Sequence, residues 1–250
     1  MNLSNSRRHD RCWQRGDLII VAARPSVGKT TFALNLAARH CKQGQEAFVF
    51  SLEMGTKQLL QRMISTEGHI NGQKWRSSAF SDEDYEQATQ AVGEISSWRL
   101  DILDKKTTLH DIRHAIRKKI QATPDSHPLV IIDYLQLIIP NYKHERHDIS
   151  LGEITRELKL LAIELEIPII LLSQLNRAVE SRQDKRPLMS DLRGSGNIEQ
   201  DADVVMFLYR DGYYNRDEEG SEDKIEIILS KHRNGPTGTV ELGFVREFVH

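Results

Sequence analysis

The chain has 250 residues, of which 39% are hydrophobic and 28% charged, as in a soluble globular protein. A formal net charge of −2 excludes a general attraction to polyanions, so nucleic-acid binding would need a local patch. No apolar run approaches the roughly 20 residues of a membrane span, so we expect no membrane association. Cys12 and Cys41 have no metal-ligand or disulfide spacing, which favours reduced thiols and a cytoplasmic location.

Short apolar runs alternate with amphipathic segments along most of the chain. Residues 1–14 lack an apolar stretch and predict a flexible leader. Strands are predicted over 18–22, 47–52, 100–103, 129–132, 167–172, 204–209, 224–229 and 238–245. Helices are predicted over 29–41, 56–67, 82–95, 108–121 and 149–166, with caps at Ser81 and Thr108.

The pattern of the strands indicates their arrangement. Several runs are apolar on both parities, which is typical of a parallel sheet with helices on both faces. The last two runs flank a turn at 234–238 and predict an antiparallel hairpin. We therefore predict one doubly wound, mainly parallel α/β domain over 15–250 with an antiparallel C-terminal hairpin, and long polar loops over 141–149 and 177–199.

A phosphate-binding loop is predicted where the first strand passes into the first helix. Its residues are Ala23, Arg24, Pro25, Ser26, Val27, Gly28, Lys29, Thr30 and Thr31. Loop amides and the helix start would cradle phosphates, Lys29 would neutralise their charge, and the Thr30 hydroxyl would ligate Mg²⁺. Ala23 departs from the glycine of the general pattern. A chance Gly-Lys-Thr at a helix start is the alternative.

Further polar residues follow predicted strands, at the edge where Lys29 is expected. Asp133 would hold Mg²⁺ together with Thr30, unless it is a helix cap or part of a structural salt bridge. Glu53 would polarise the attacking water, unless it caps the helix at 56. Gln174 would donate to the γ-phosphate and change partner when it leaves, unless it simply ends its strand.

The hairpin supplies two cations to the same group of strand-end residues. Lys231 and Arg233 are one residue apart along a strand and therefore share a face, with no acidic partner evident nearby in the sequence. They would act as fingers on the γ-phosphate of a neighbouring subunit. The alternative is a solvated edge strand.

Taken in order, these motifs resemble the C-terminal motor domain of bacterial and phage replicative DNA helicases, the DnaB family. The resemblance covers about 17–245 and rests on segments 17–30, 51–54, 131–136, 172–177, 186–193, 198–203 and 231–236. It implies a RecA-like P-loop NTPase fold that uses ATP and Mg²⁺ to move along single-stranded DNA and unwind duplexes. Ala23 itself matches the loop of this family.

The resemblance also implies a role for each strand-end residue. Glu53 would be the catalytic carboxylate, Asp133 the Walker B ligand and Gln174 the γ-phosphate sensor. Lys231 and Arg233 would be the fingers that act across the subunit interface.

A DNA-binding segment is implied over 182–196, lining the channel of a hexameric ring. Arg193 and the backbone near Gly194 and Gly196 would hold DNA phosphates, and Arg186 would also bind DNA. A local basic strip agrees with this interpretation, and a solvated loop is its alternative. The strip consists of Arg177, Arg182, Lys185, Arg186 and Arg193. Gly194 stands where the family usually has glutamate.

The resemblance implies a ring-forming homo-oligomer with primase, a helicase loader or a full-length helicase as partners. The family's N-terminal scaffold and linker helix are expected to be missing, which predicts weaker ring closure and lower ATPase activity. A truncated, non-motor ATP- and DNA-binding regulator that joins a full-length ring is the alternative function. Another RecA-like ATPase, such as a recombinase or clock-type protein, fits the Arg24-Pro25-Ser26 loop and the segment 51–54 less well.

Overall fold

The computed structural model describes residues 13–105, 108–123, 126–140, 147–192, 195–214 and 224–248. These residues form one sheet with the spatial order β3-β2-β4-β5-β1-β6-β7-β8. The strands are β1 Leu18–Ala23, β2 Glu46–Ser51, β3 Arg99–Leu103, β4 Leu129–Asp133, β5 Ile169–Gln174, β6 Val204–Tyr209, β7 Lys224–His232 and β8 Gly238–Gly243. Pairing is parallel from β3 to β6 and antiparallel from β6 to β8, so the predicted doubly wound sheet with a C-terminal hairpin is confirmed.

Helices cover both faces of this sheet. They are α1 Lys29–Lys42, α2 Thr56–Glu67, α3 Lys74–Ser77, α4 Asp82–Ser96, α5 Leu109–Ala122, α6 His147–Leu165, α7 Ser195–Asp201 and α8 Asp211–Tyr214. The five predicted helices are all present, and both predicted caps form. Ser81 Oγ accepts from the Asp84 amide at 3.2 Å, and Thr108 Oγ1 accepts from the Asp111 amide at 3.0 Å.

The core consists of two layers separated by the sheet. Because successive strand residues point to opposite faces, Ile20 packs in the layer below α5 and α6, and Val21 in the layer below α1 and α2. On α6, Ile154 and Leu158 follow the helical spacing of a buried face. Both faces of the central strands are therefore buried, which is why these strands are apolar at odd and even positions alike, as the sequence indicated.

Three predicted features differ from, or lie beyond, the observed structure. The loop 177–199 contains two short 3-10 turns, Arg177–Ser181 and Met189–Asp191, and then α7. The edge strand of the hairpin is β8, whereas β7 lies inside the sheet. Leader residues 1–12 and loop residues 141–146 lie outside the described residues.

Two further expectations concern the membrane and the cysteines. Among the described residues, no helix has the length and apolar character that crossing a bilayer requires. Cys41 is a free, buried thiol on α1, and burial raises its pKa to about 11. A buried thiol of this kind acts as a small apolar core residue.

Truncating Phe207 on β6 tests the two-layer core. Phe207 is fully buried, so Phe207→Ala should lower the free energy of unfolding by about 3–5 kcal/mol through lost apolar burial and a cavity. Val240→Ala on the exposed strand β8 is the matched control and should change it by less than about 0.5 kcal/mol. Urea denaturation followed by circular dichroism measures both, and equal losses would contradict this core.

Candidate nucleotide-binding site

Four parallel strands bring the predicted site together at one edge of the sheet. In register, Ala23 of β1 lies beside Gln174 of β5, and Ser51 of β2 lies beside Asp133 of β4. A cleft of about 380 Å³ opens at this edge. It is lined by Glu53, Gln174 and seven of the predicted loop residues, namely Arg24, Pro25, Ser26, Gly28, Lys29, Thr30 and Thr31.

The position of Ala23 explains why the phosphate-binding loop can begin with alanine instead of glycine. Ala23 is the last residue of β1, and its carbonyl accepts the Leu175 amide at 3.1 Å, so this position needs no glycine. Val27 is buried in the core and does not line the cleft. Gly28 precedes α1 with φ 114° and ψ 19°, a conformation that favours glycine. The first amides of α1 have no partner within the helix and are available to an anion.

Lys29 is held inside the cleft by two neighbours. Its ammonium lies 3.9 Å from Asp133 Oδ1 and 4.4 Å from the centre of the Tyr134 ring. Burial lowers the pKa of Lys29, and the negative charges of Asp133 and Glu53 oppose this shift. An anion in the cleft would stabilise the ammonium. Tyr134 was not identified from the sequence because aromatic contact with a lysine has no local pattern.

Thr30 and Asp133 form the closest polar contact of the site. The Thr30 hydroxyl donates to Asp133 Oδ2 at 2.6 Å, and Asp133 is buried. Asp133 Oδ1 has no hydrogen-bond partner among the described residues, which leaves a buried carboxylate oxygen available. Those residues contain no group of three or more His, Cys, Asp or Glu side chains that could hold a metal. The donor pair fits Mg²⁺, which takes few protein oxygens and completes its shell with phosphate and water.

Gln136, just after β4, supports Gln174, the predicted γ-phosphate sensor at the end of the neighbouring strand β5. Its side-chain amide donates to Ser173 Oγ at 3.0 Å, and its Oε1 accepts the Gln174 amide at 3.2 Å. These bonds fix the end of β5 and leave the Gln174 side chain on the cleft. Glu53 lies exposed beyond the end of β2 on the same cleft. Sequence reasoning missed Gln136, because its role depends on the adjacency of β4 and β5.

A second cavity of about 240 Å³ adjoins Gly28 and Thr31. Phe244, which follows β8, lies so close that a Cβ at Gly28 would stand 3.1 Å from its ring. The guanidinium of Arg210 lies 4.1 Å from the centre of the same ring. Arg210 does not line the cavity, but Phe32, Phe244 and Phe248 do, and such an apolar aromatic surface suits a planar base. No local pattern indicates this cavity, since its walls are about 200 residues apart in the chain.

Lys231 and Arg233 lie at the opposite ends of the strands from the cleft. The expectation that they share with Lys29 the edge formed by the strand ends is therefore wrong. Because β7 runs antiparallel to β6, Lys231 pairs with Val205, near the start of β6. The parallel strands are about 17–20 Å long, which puts the two cations beyond reach of the cleft in their own chain. Arg233 also has a buried partner that the sequence did not reveal, Asp203 Oδ1 at 2.9 Å.

The basic strip is partly neutralised within the chain. Arg182 pairs with Asp191 at 2.7 Å, and Arg186 forms two bonds with Glu226 at 2.7 and 2.9 Å. The bonds to Glu226 raise the pKa of Arg186. Gly196 lies in α7 with open space around it. Arg193 and Gly194 lie outside the described residues.

The sheet, the loop before α1 and the converging Lys29, Thr30 and Asp133 define a RecA-like P-loop nucleotide-binding domain. The family model for the DnaB-like helicase C terminal domain matches residues 8–250, and the chain belongs to this family. The replicative DNA helicase DnaB of Geobacillus stearothermophilus is 51% identical over 239 residues, which are 94% of this chain and 52% of that protein. The chain thus spans about half the length of the curated relatives it matches.

Two solved structures show the same fold at 43% identity. The first, an ATPase domain, superposes with a TM-score of 0.90 over 94% of this chain and 84% of that one. The second, a DnaB-like replicative helicase described with its interactions with primase, superposes with a TM-score of 0.91 over 94% of this chain and 57% of that one. The RecA-like architecture expected from the motifs is confirmed.

Replacing Gly28 tests the loop. Gly28→Ala forces a side chain into a positive φ and against Phe244, which should cost about 1–2 kcal/mol. Nucleotide affinity should fall by about tenfold or more if the loop relaxes away from its binding shape. Gly93→Ala, within α4 and facing open space, is the matched control and should bind normally. Titration with a fluorescent ATP analogue measures both, and equal affinities would contradict a phosphate role for this loop.

Proposed function

We propose that this chain is an ATP-dependent DNA helicase motor that couples ATP hydrolysis to movement along single-stranded DNA and to duplex unwinding in replication. One observation carries the proposal. Lys29, Thr30, Asp133 and Glu53 converge at the carboxyl ends of adjacent parallel strands, in a chain of the DnaB-like helicase family. Such strand ends are where open α/β sheets bind ligands.

In this proposal, each residue of the cleft has its own role in phosphoryl transfer. Loop amides and Lys29 bind the phosphates of ATP, and the adjoining cavity at Phe244 takes its base. Mg²⁺, when held by Thr30 and Asp133, would neutralise charge on the phosphates. Glu53 orients the attacking water and accepts its proton. Gln136 holds the backbone amide of Gln174, and the Gln174 side-chain amide donates to the γ-phosphate.

The active unit is a ring-forming homo-oligomer, most simply the hexamer that the resemblance implies. Lys231 and Arg233 lie on the edge opposite the cleft, so they can serve only the triphosphate of a neighbouring subunit. Their positive charge would stabilise the negative charge that develops on the transferred phosphoryl group. Hydrolysis then depends on subunit association.

The DNA grip belongs to segment 182–196. Arg193 and the backbone at Gly194 and Gly196 would contact phosphates of single-stranded DNA. The sequence predicts that Arg186 contacts DNA, but because its Nε and Nη2 both bind Glu226, we propose a supporting role for it instead. Arg186 holds the segment against β7 and thereby positions the residues that bind DNA.

The setting and partners follow from the same proposal. One similar solved structure is that of a DnaB-like replicative helicase and its interactions with primase, and we extend primase to this chain as a partner. A helicase loader and a full-length helicase are the other proposed partners. The free, buried Cys41 agrees with the predicted cytoplasmic location.

Steady-state ATPase activity against protein concentration, with and without single-stranded DNA, tests the motor. The specific activity should rise with concentration and with DNA, and Lys29→Ala should abolish it. Arg233→Ala should lower kcat by about 10³-fold, the contribution typical of an arginine finger. Arg39→Ala, an exposed arginine on α1, is the matched control and should retain activity.

Two results would contradict the motor. One is hydrolysis that neither DNA nor Arg233→Ala changes. The other is a strict monomer that binds ATP without hydrolysing it, as measured by light scattering, which would support the regulator that joins another ring.

Salt-dependent DNA binding separates gripping from positioning residues. Arg193→Ala should weaken binding and reduce the slope of log affinity against log salt by about 0.7, because one phosphate contact is lost. Arg186→Gln and Glu226→Gln should both weaken binding with an unchanged slope, because each breaks the same ion pair. Fluorescence anisotropy with labelled oligonucleotides measures all three. Tighter binding by Glu226→Gln would mean that Arg186 itself contacts phosphate.

A further inference from the structure

Lys231 of β7 and Arg233, directly after this strand, are both anchored on the end of one short helix, α7. Lys231 Nζ donates to the carbonyls of Glu199 and Ala202, the latter at 2.6 Å. Arg233 reaches the carbonyl of Gln200 at 3.3 Å. These carbonyls belong to the C-terminal end of α7, where the unpaired oxygens attract cations. Lys231 and Arg233 are therefore positioned by the same group of acceptors.

Asp203, two residues after the end of α7, completes this group, and its two carboxylate oxygens have different partners. Its Oδ1 forms an ion pair with Arg233 Nη1, at a distance of 2.9 Å. Its Oδ2 accepts the Leu18 amide at 2.8 Å and the Lys159 ammonium at 2.5 Å, so it is tied to β1 and α6. Asp203 is buried, and its charge is compensated by these cations. One oxygen is thus fixed in the core, while the other holds the guanidinium.

Arg233 is oriented from behind and remains half-exposed. A guanidinium has five N–H donors, and the bonds to Asp203 and Gln200 use only part of them. Within the described part of the chain, this guanidinium makes no other hydrogen bond, which leaves donors for an incoming anion. This is the arrangement of a cation held in position for an incoming anion, since a fixed side chain loses less entropy when it binds.

We propose that Asp203 is the positioning residue of the trans-acting cations, and that it aims Arg233 at the phosphate of the neighbouring subunit. The inference rests on the proposed function, because it assumes that Arg233 acts across the interface. It assigns a role to a buried acidic residue outside the cleft. Because α7 begins at Ser195, within segment 182–196, the same helix joins these cations to the DNA segment.

Asp203→Asn isolates this role. The asparagine oxygen can still accept from the Leu18 amide and Lys159, whereas its NH₂ group would face Arg233 and remove the ion pair. In DNA-stimulated assays, kcat should fall by about 10- to 100-fold, as expected for a displaced catalytic group. KM for ATP should not change, because Asp203 does not line the cleft of its own chain.

Mixed rings distinguish positioning from folding. A Lys29→Ala subunit cannot use its own cleft but carries intact cations for its neighbour. Mixing it with Asp203→Asn subunits should therefore restore hydrolysis in the Asp203→Asn clefts, well above the activity of either variant alone. A mixture of Lys29→Ala with Arg233→Ala provides the reference for trans action. Thr155→Val, which removes the 2.9 Å bond to Asp201 on the other side of α7, should retain activity.

Each outcome decides one question. If the Arg233→Ala mixture recovers activity and the Asp203→Asn mixture does not, the role of Asp203 is structural and the inference is overturned. Full activity of Asp203→Asn alone overturns it as well, as does a large drop in melting temperature without recovery on mixing. If the Arg233→Ala mixture also fails, the proposed trans action itself is wrong.

Discussion

The hydrogen bond between the Thr30 hydroxyl and the buried Asp133 carboxylate is the contact on which the rest of the site depends. It connects the first turn of α1 to the end of β4, across the intervening strand β5. Burying a carboxylate is costly unless cations or donors surround it, and Lys29 and Thr30 supply both. Asp133 Oδ1 receives no hydrogen bond from the residues that the structure describes, so this compensation is incomplete. The cleft is therefore built around a charge balance that a metal and phosphates together would complete.

The direction of each strand decides which subunit a residue can serve. Parallel strands place Glu53, Asp133 and Gln174 at the same end of the sheet as the loop, so in the proposed motor they would serve the nucleotide of their own chain. The reversal into β7 sends Lys231 and Arg233 to the other edge. A single change of strand direction thus places the proposed catalytic groups at two opposite ends of the sheet. Association of subunits would bring the two sets back together.

Local patterns in the sequence were enough for most of the fold and for the loop. Alternating parity predicted the buried strands, and the Gly28-Lys29-Thr30 step marked the start of α1. The edge of Lys231 was predicted wrongly, because an antiparallel strand reverses the end at which its last residue lies. Contacts such as Arg233 with Asp203, or Phe244 with Gly28, join distant parts of the chain. Periodicity carries no information on such pairs, and they require the three-dimensional arrangement.

The hairpin of β7 and β8 runs along the strand direction, from the end of the sheet that holds the cleft to the opposite end. At one end, Phe244 lies against the loop of its own chain, and at the other, Lys231 and the half-exposed Arg233 are held on the end of α7. Because β7 is hydrogen-bonded to β6 along its length, the two ends are connected through the sheet itself. In the proposed ring, one hairpin would therefore contact the nucleotide of its own chain and offer cations to that of the next subunit.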